Sequence, residues 1–155
     1  MKLLNLTTLE NLMHYTIREA EKEDLIEVSK IEELSFNFGK WGLYFFMKFI
    51  ENAYNRIILV EKNGEILGYC AYTDEGNSIH IKNIAVHPNH RRRGIGSLLI
   101  DKVRKLKKDI YLEVVDDNIV AIKFYENIGF RKVEEIKKFY SNGKSAYRYY
   151  LNKDE

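Results

Sequence analysis

The spacing of apolar residues changes period repeatedly along the chain, and each change marks an element boundary. Tyr15 to Arg18 reads as a short strand, after which Leu25, Val28, Ile31 and Leu34 recur at helical spacing and predict a helix over about 22 to 35. Gly39 and Gly42 interrupt it, and the aromatic-rich run Leu43 to Ala53 predicts a second helix. Arg56 to Glu61 and Ile66 to Tyr72 are strand-like and flank Asn63-Gly64, a pair that tolerates the positive φ of a type I′ hairpin turn. Beyond the turn Glu75-Gly76-Asn77, Ser78 to Val86 alternates (Ile79 and Ile81 against His80 and Lys82) and ends apolar, as a central strand does. Ile95, Leu98, Leu99, Val103 and Leu106 define one face of a third helix, and Ile110 to Val115 is a strand. Asn118 is placed to cap a fourth helix carrying Ile119, Ile122, Phe124, Tyr125 and Ile128, which Gly129 stops. Phe130 to Ile136 and Ala146 to Leu151 close the chain as strands around Ser141-Asn142-Gly143. The order βααβββαβαββ predicts one α+β domain over residues 15 to 153, with residues 1 to 14 an extension of unassigned role.

Composition supports an ordered domain: 155 residues, 45% hydrophobic, with 11 Tyr, 8 Phe and 1 Trp, supply enough apolar bulk for a core. Cys70 alone cannot form an internal disulfide, and no apolar run approaches the roughly 18 residues needed to span a bilayer. The leucines of the first 14 residues are broken by polar positions and lack the continuous core of a signal peptide, so a cytoplasmic protein without membrane partners is expected. A net charge of +2 hides an uneven distribution. Between His87 and Lys108, Arg91, Arg92, Arg93, Lys102, Arg104, Lys105, Lys107 and Lys108 face a single acid, Asp101. That confinement to one loop and helix points to a compact anion rather than to nucleic acid.

The informative stretch is Ile84-Ala85-Val86-His87-Pro88-Asn89-His90-Arg91-Arg92-Arg93-Gly94-Ile95-Gly96-Ser97: a strand, a basic loop, then two glycines at a helix start. The first turn of a helix exposes unpaired N–H groups and the positive end of its dipole, and glycines let a phosphate approach that backbone. The stretch lacks the Gly-Lys-Ser/Thr ending of a P-loop and has no Gly-x-Gly-x-x-Gly. Arg91 to Gly96 instead resembles the Arg/Gln-x-x-Gly-x-Gly/Ala signature of the GNAT superfamily of acetyl-CoA-dependent N-acetyltransferases, in its usual position after an Ile-Ala-Val strand. Leu112-Glu113-Val114, Asn118, Ala121, Phe124-Tyr125-Glu126 and Gly129-Phe130 are similar to the second half of that pattern. Within the superfamily, Lys138 to Tyr147, and Ser35-Phe36 followed by Trp41, resemble the protein N-terminal acetyltransferases of the bacterial ribosomal-protein-alanine and archaeal N-alpha types.

The resemblance implies the GNAT fold, a mixed twisted sheet of about seven strands flanked by about four helices, with acetyl-CoA as cosubstrate and no metal. It implies direct attack by a primary amine on the thioester, with Glu113 as general base and Tyr125 as general acid. With ordinary pKa values of about 10 for a phenol and 8.5 for a thiol, that last proton transfer is uphill by roughly 2 kcal/mol. The resemblance further implies that backbone groups of Ile84, Ala85 and Val86 meet the pantetheine arm. Arg91, Arg92, Arg93, Gly94, Ile95, Gly96 and Ser97 would hold the pyrophosphate, Asn118 would reach the cofactor, and Phe139 and Tyr140 would touch the substrate. Two segments depart from the pattern: Asp116-Asp117 stand where a cation is common, and Ser35 to Trp41 lacks a Pro-Glu-Asn-Tyr element. The expected activity is acetylation of a protein or peptide α-amine by a monomer or homodimer. The alternatives are acetylation of a polyamine or amino sugar, and CoA binding without turnover.

Overall fold

The computed structural model describes residues 14–155, so the extension read at residues 1 to 14 lies almost wholly outside the described residues. Strand β1 (Thr16–Glu19) is followed by a 3₁₀ turn (Lys22–Asp24) and helices α1 (Leu25–Ser35) and α2 (Gly42–Phe49). Three strands follow, β2 (Asn55–Lys62), β3 (Glu65–Asp74) and β4 (Ser78–Val86). Helix α3 (Ile95–Arg104) crosses to β5 (Asp109–Val115), helix α4 (Ile119–Ile128) follows, and β6 (Arg131–Ile136) and β7 (Ala146–Leu151) complete the chain. Among the described residues the sheet has seven strands in the order β1-β2-β3-β4-β5-β7-β6, antiparallel throughout except between β4 and β5. Among the described residues no helix is long and apolar enough to cross a membrane.

Each face of the sheet carries its own core. Alternation along β2 sends Ile57 and Leu59 to one side, where they pack with Tyr69, Ala71 and Ala85 beneath Leu25, Val28 and Ile31 of α1 and Phe46 and Phe49 of α2. Ile58 and Val60 go to the other side, joining Ile79, Ile81, Ile110, Leu112 and Val114 under Ile95, Leu99 and Val103 of α3 and Ile122 and Tyr125 of α4. Asn63 and Gly64 both take positive φ (53° and 80°), as the β2–β3 hairpin requires.

The structure departs from the periodicity at three helix positions. Leu34 is 59% exposed, whereas Glu32 is 1% exposed. Three residues fall about 60° short of a full turn, so a series read only at i+3 drifts around the helix until its last member faces away from the first. Helix α2 ends at Phe49 rather than Ala53, because the Asn55 amide donates to the Phe49 carbonyl and starts the turn into β2. Leu106 falls beyond α3 and is 42% exposed, where the chain turns through Lys107 at φ 59°.

Candidate active site

Strands β4 and β5 pair only at Ser78–Asp109, Ile79–Ile110 and His80–Tyr111 and then part. The gap is a cleft of about 490 Å³, lined by Ile81 to Ile84 on β4, Leu112 to Val115 on β5, and Asn118, Ala121 and Tyr125 on α4. A bulge in β4 shapes one wall: Ala71 faces Asn83 and Tyr72 faces Ile81, which leaves Lys82 unopposed. The β4 backbone shapes it further. His87 N–H donates to Leu67 C=O, which fixes the phase of the antiparallel ladder. Ala85 therefore exchanges its bonds with Tyr69, while the backbone groups of Ile84 and Val86 point to the opposite edge, the one β5 has left. Of the three residues expected to offer backbone groups there, Ile84 and Val86 are oriented to do so and Ala85 is committed to β3.

At the fork, Nε2 of His80 lies 2.6 Å from Oε2 of Glu113, and the imidazole stacks on Tyr111 at 4.2 Å. Arg148 of β7, directly opposite Glu113 in the ladder, donates from Nη2 to Oε1 at 3.2 Å and from Nη1 to Glu134 at 2.6 Å. Burial pushes the Glu113 carboxyl up, but the hydrogen bond and charge of His80, together with Arg148, outweigh it and hold the group below the usual carboxylate range. Glu113 has the opposite parity to Leu112 and Val114, so this polar group occupies the sheet face away from α3 and α4. The sequence pattern offers Glu113 as a candidate and does not mark its neighbour His80. The only signal was a polar residue at an alternating position, since no turn fixes the register of parallel strands joined through a helix.

On the cleft's opposite flank, the Tyr125 ring sits edge-on to Phe124 and Phe130, and burial pushes its phenol well above the ordinary value. Two connections fold over the mouth. Phe38, between α1 and α2, meets Tyr140, between β6 and β7, at 5.8 Å edge-on. Lys144 bonds Asp117 at 2.8 Å. Burial, with the charges of Glu113 and Asp116 adding to it, pushes the Tyr140 phenol up to about 12. Phe139 is 44% exposed, packs edge-on against Tyr140 and lies outside the cleft lining.

The basic loop occupies a separate position beyond the end of β4. Leu98 N–H makes the first intrahelical bond to Gly94, which leaves the N–H groups of Ile95, Gly96 and Ser97 without helical partners. Arg92 and Gly94 take positive φ (65° and 81°) and turn the chain into α3. Ile95 is buried, so only its backbone is available to a ligand. A Cβ at Gly96 would come within 2.8 Å of the far end of the Phe124 ring, so a side chain here would force that ring to shift whether or not a phosphate approaches. Arg92 and Arg93 are exposed, with Arg93 Nη1 3.2 Å from His90 Nδ1, whereas Arg91 turns back to donate to the Val86 carbonyl at 3.1 Å and to Ser35. Asn118 caps α4 through Oδ1, accepting from Ala121 N–H at 3.2 Å, and its amide hydrogens have no partner among the described residues.

The sequence profile of the acetyltransferase (GNAT) family matches residues 11–130. The chain belongs to the GNAT acetyltransferase family. It is an acetyl-CoA-dependent N-acetyltransferase, and the GNAT fold, with seven strands and four helices among the described residues, follows the expectation from sequence. It is 29% identical over 151 residues to an N-alpha-acetyltransferase of Sulfurisphaera tokodaii, covering 86% of this chain and 90% of that protein. Among solved structures, the ribosomal-protein-S18-alanine N-acetyltransferase of Escherichia coli superposes with a TM-score of 0.80 at 26% identity, covering 88% of this chain and 92% of that one. Ard1 from Thermoplasma volcanium superposes with a TM-score of 0.81 at 25% identity, covering 89% and 97%.

Proposed function

We propose that this GNAT enzyme, through a catalytic domain spanning residues 15–153, acetylates the N-terminal α-amine of a protein or peptide. The observation that carries the reading is the contact between His80 and Glu113 at the fork of β4 and β5. A primary amine must lose a proton to attack a thioester, and an α-amine, at about 7.7 to 8, gives it up far more readily than a lysine near 10.4. Arg148 and His80 make Glu113 alone a weaker base than a free glutamate, so the imidazole and carboxylate act together, taking the proton through an intervening water. The names of the similar N-alpha-acetyltransferases agree with an α-amine acceptor.

Acetyl-CoA supplies the activated acetyl group. The backbone of Ile84 and Val86, the amide of Asn118 and the segment from Arg91 to Ser97 are the groups that hold it, since unpaired N–H groups at a helix start suit a pyrophosphate. Tyr125 serves the leaving sulfur. Its raised phenol makes full proton transfer steeper than the roughly 2 kcal/mol given by reference values, so the phenol keeps its proton and donates a hydrogen bond to the thiolate. Phe38, Trp41 and Tyr140 wall the acceptor side of the cleft.

Free-thiol release from acetyl-CoA, measured against a panel of peptides differing in their first two residues and against spermidine and aminoglycosides, tests the reading. Turnover is expected on peptides. Turnover on the small amines alone would overturn the α-amine assignment.

A further inference from the structure

Glu32 is the one buried charged residue among the described residues, and the chemistry above does not use it. Both of its oxygens are occupied. Oε1 accepts Gly42 N–H at 3.0 Å, and Oε2 accepts Trp41 N–H at 2.9 Å and the Asn83 amide at 2.6 Å. Asn83 in turn accepts the Tyr69 hydroxyl at 2.8 Å. No lysine or arginine of the described residues lies within ion-pair distance, so a carboxylate taken out of water here is compensated by neutral donors alone. Such an arrangement is costly to keep unless it fixes something.

What it joins is specific. Trp41 and Gly42 are the entry to α2, and Trp41 packs on Phe45, Phe46 and Phe49 at 4.6 to 5.1 Å. Asn83 lies beside the bulge at Lys82, on the stretch of β4 that has separated from β5. Glu32, Trp41 and Asn83 all line the cleft. The carboxylate thus ties the wall formed by the α1–α2 connection to the β4 bulge, whereas the acetyl-CoA groups at the start of α3 have no bond to it.

We infer that Glu32 is a positioning residue for the acceptor, which sets the separation between the aromatic wall and the β4 bulge through Asn83; this rests on the reading that the acceptor amine enters by that wall. Glu32→Gln alone is a blunt probe, because whichever way its amide turns, the nitrogen faces Trp41 N–H or Gly42 N–H and leaves a backbone donor unpaired. Asn83→Asp is a sharp one, since it sets two carboxylates against each other where one hydrogen bond stood. Adding Glu32→Gln to Asn83→Asp replaces that repulsion by a side-chain hydrogen bond, while Trp41 N–H loses its acceptor.

The experiment measures KM for the acceptor and for acetyl-CoA separately, with kcat and a thermal melt for each variant. The acceptor is whichever amine the wild type acetylates best, so failure of every peptide would count against the α-amine reading and leave this test intact. Asn83→Asp is expected to raise acceptor KM about tenfold, the size of a lost charge-assisted hydrogen bond, with acetyl-CoA KM within about twofold. The double variant is expected to recover part of that rise in acceptor KM, with acetyl-CoA KM still within about twofold of wild type. If Asn83→Asp does not fold, Asn83→Ala, which cuts the link without adding charge, carries the same expected split. Both KM values rising together, kcat falling alone, or a double variant as impaired as Asn83→Asp would overturn the inference.

Discussion

His80, in the last paired rung of β4 and β5, meets Glu113 two residues beyond its rung partner Tyr111, with Nε2 and Oε2 2.6 Å apart. His80 and Arg148 favour the charged form of Glu113, a carboxylate that each of them contacts through a different oxygen. Glu113→Gln and His80→Phe should each lower kcat by about 10² to 10⁴. Phenylalanine keeps the stacking on Tyr111, so the melting temperature of His80→Phe should stay near that of wild type. Groups acting as one unit are non-additive, so the double variant should be no slower than the worse single one. Losses that multiply, measured by thiol release at saturating substrates, would mean that the two residues act separately.

A different kind of coupling joins α3 to α4. Gly96→Ala brings a methyl group within 2.8 Å of the Phe124 ring, an overpacking expected to cost about 1 to 3 kcal/mol in urea unfolding. Phe124→Leu added to it should recover most of that loss, because the clash is with the far end of the ring. No recovery would show that the glycine is required for its backbone alone. Gly94→Ala should cost about 1 to 2 kcal/mol by another route, since nothing crowds its Cβ but its φ of +81° is left-handed.

What the sequence disclosed depended on how local each signal was. The Asn118 cap, the Asn63-Gly64 turn and the β4 limits each rest on neighbours a few residues apart, and the structure has them where the pattern predicted. The partnership of His80 with Glu113 was hidden, because it depends on a register set by a crossover through α3 and shared by only three residue pairs. Glu32 was hidden for a helical reason: the i+3 series leads to Leu34, while the buried stripe has already rotated onto residues 31 and 32, with Ser35 half-buried beyond them. The β4 bulge leaves alternation intact on each side of it, so nothing in the residue types marks Lys82 as the extra one.

Acid should weaken the fold through Asp24. Arg18 grips it with Nη1 at 2.7 Å and Nη2 at 2.9 Å and also reaches Glu61, tying β1 to β2 and to the entry of α1. The Arg18 hydrogen bond, opposed by partial burial and helped by the Glu21 N–H, holds the Asp24 carboxyl below its ordinary value. A carboxylate lowered in the folded state adds stability above its unfolded pKa, about 4, which is lost as pH falls through the folded value. Urea midpoints should therefore drop below about pH 4, and Asp24→Asn should lower the midpoint at neutral pH and narrow the gap between neutral and acid conditions. An unchanged gap would remove Asp24 from the acid response.

Alkali probes Tyr125, whose phenol burial holds above its ordinary value. A raised folded value means that the group favours the native state below its unfolded pKa, about 10, and that this contribution is lost only as pH rises toward the folded value. The wild-type rate should therefore show no falling limb from phenol ionisation between about pH 9 and 10. Tyr125→Phe removes the hydrogen bond to a charged leaving group, worth about 1.5 to 3 kcal/mol, so kcat should fall roughly tenfold to a hundredfold. The Kd for acetyl-CoA, measured calorimetrically, should hold within about twofold, because an uncharged thioester sulfur is only a weak acceptor. A falling limb near pH 10 that disappears in Tyr125→Phe would show instead that the phenol titrates freely and passes its proton to the sulfur.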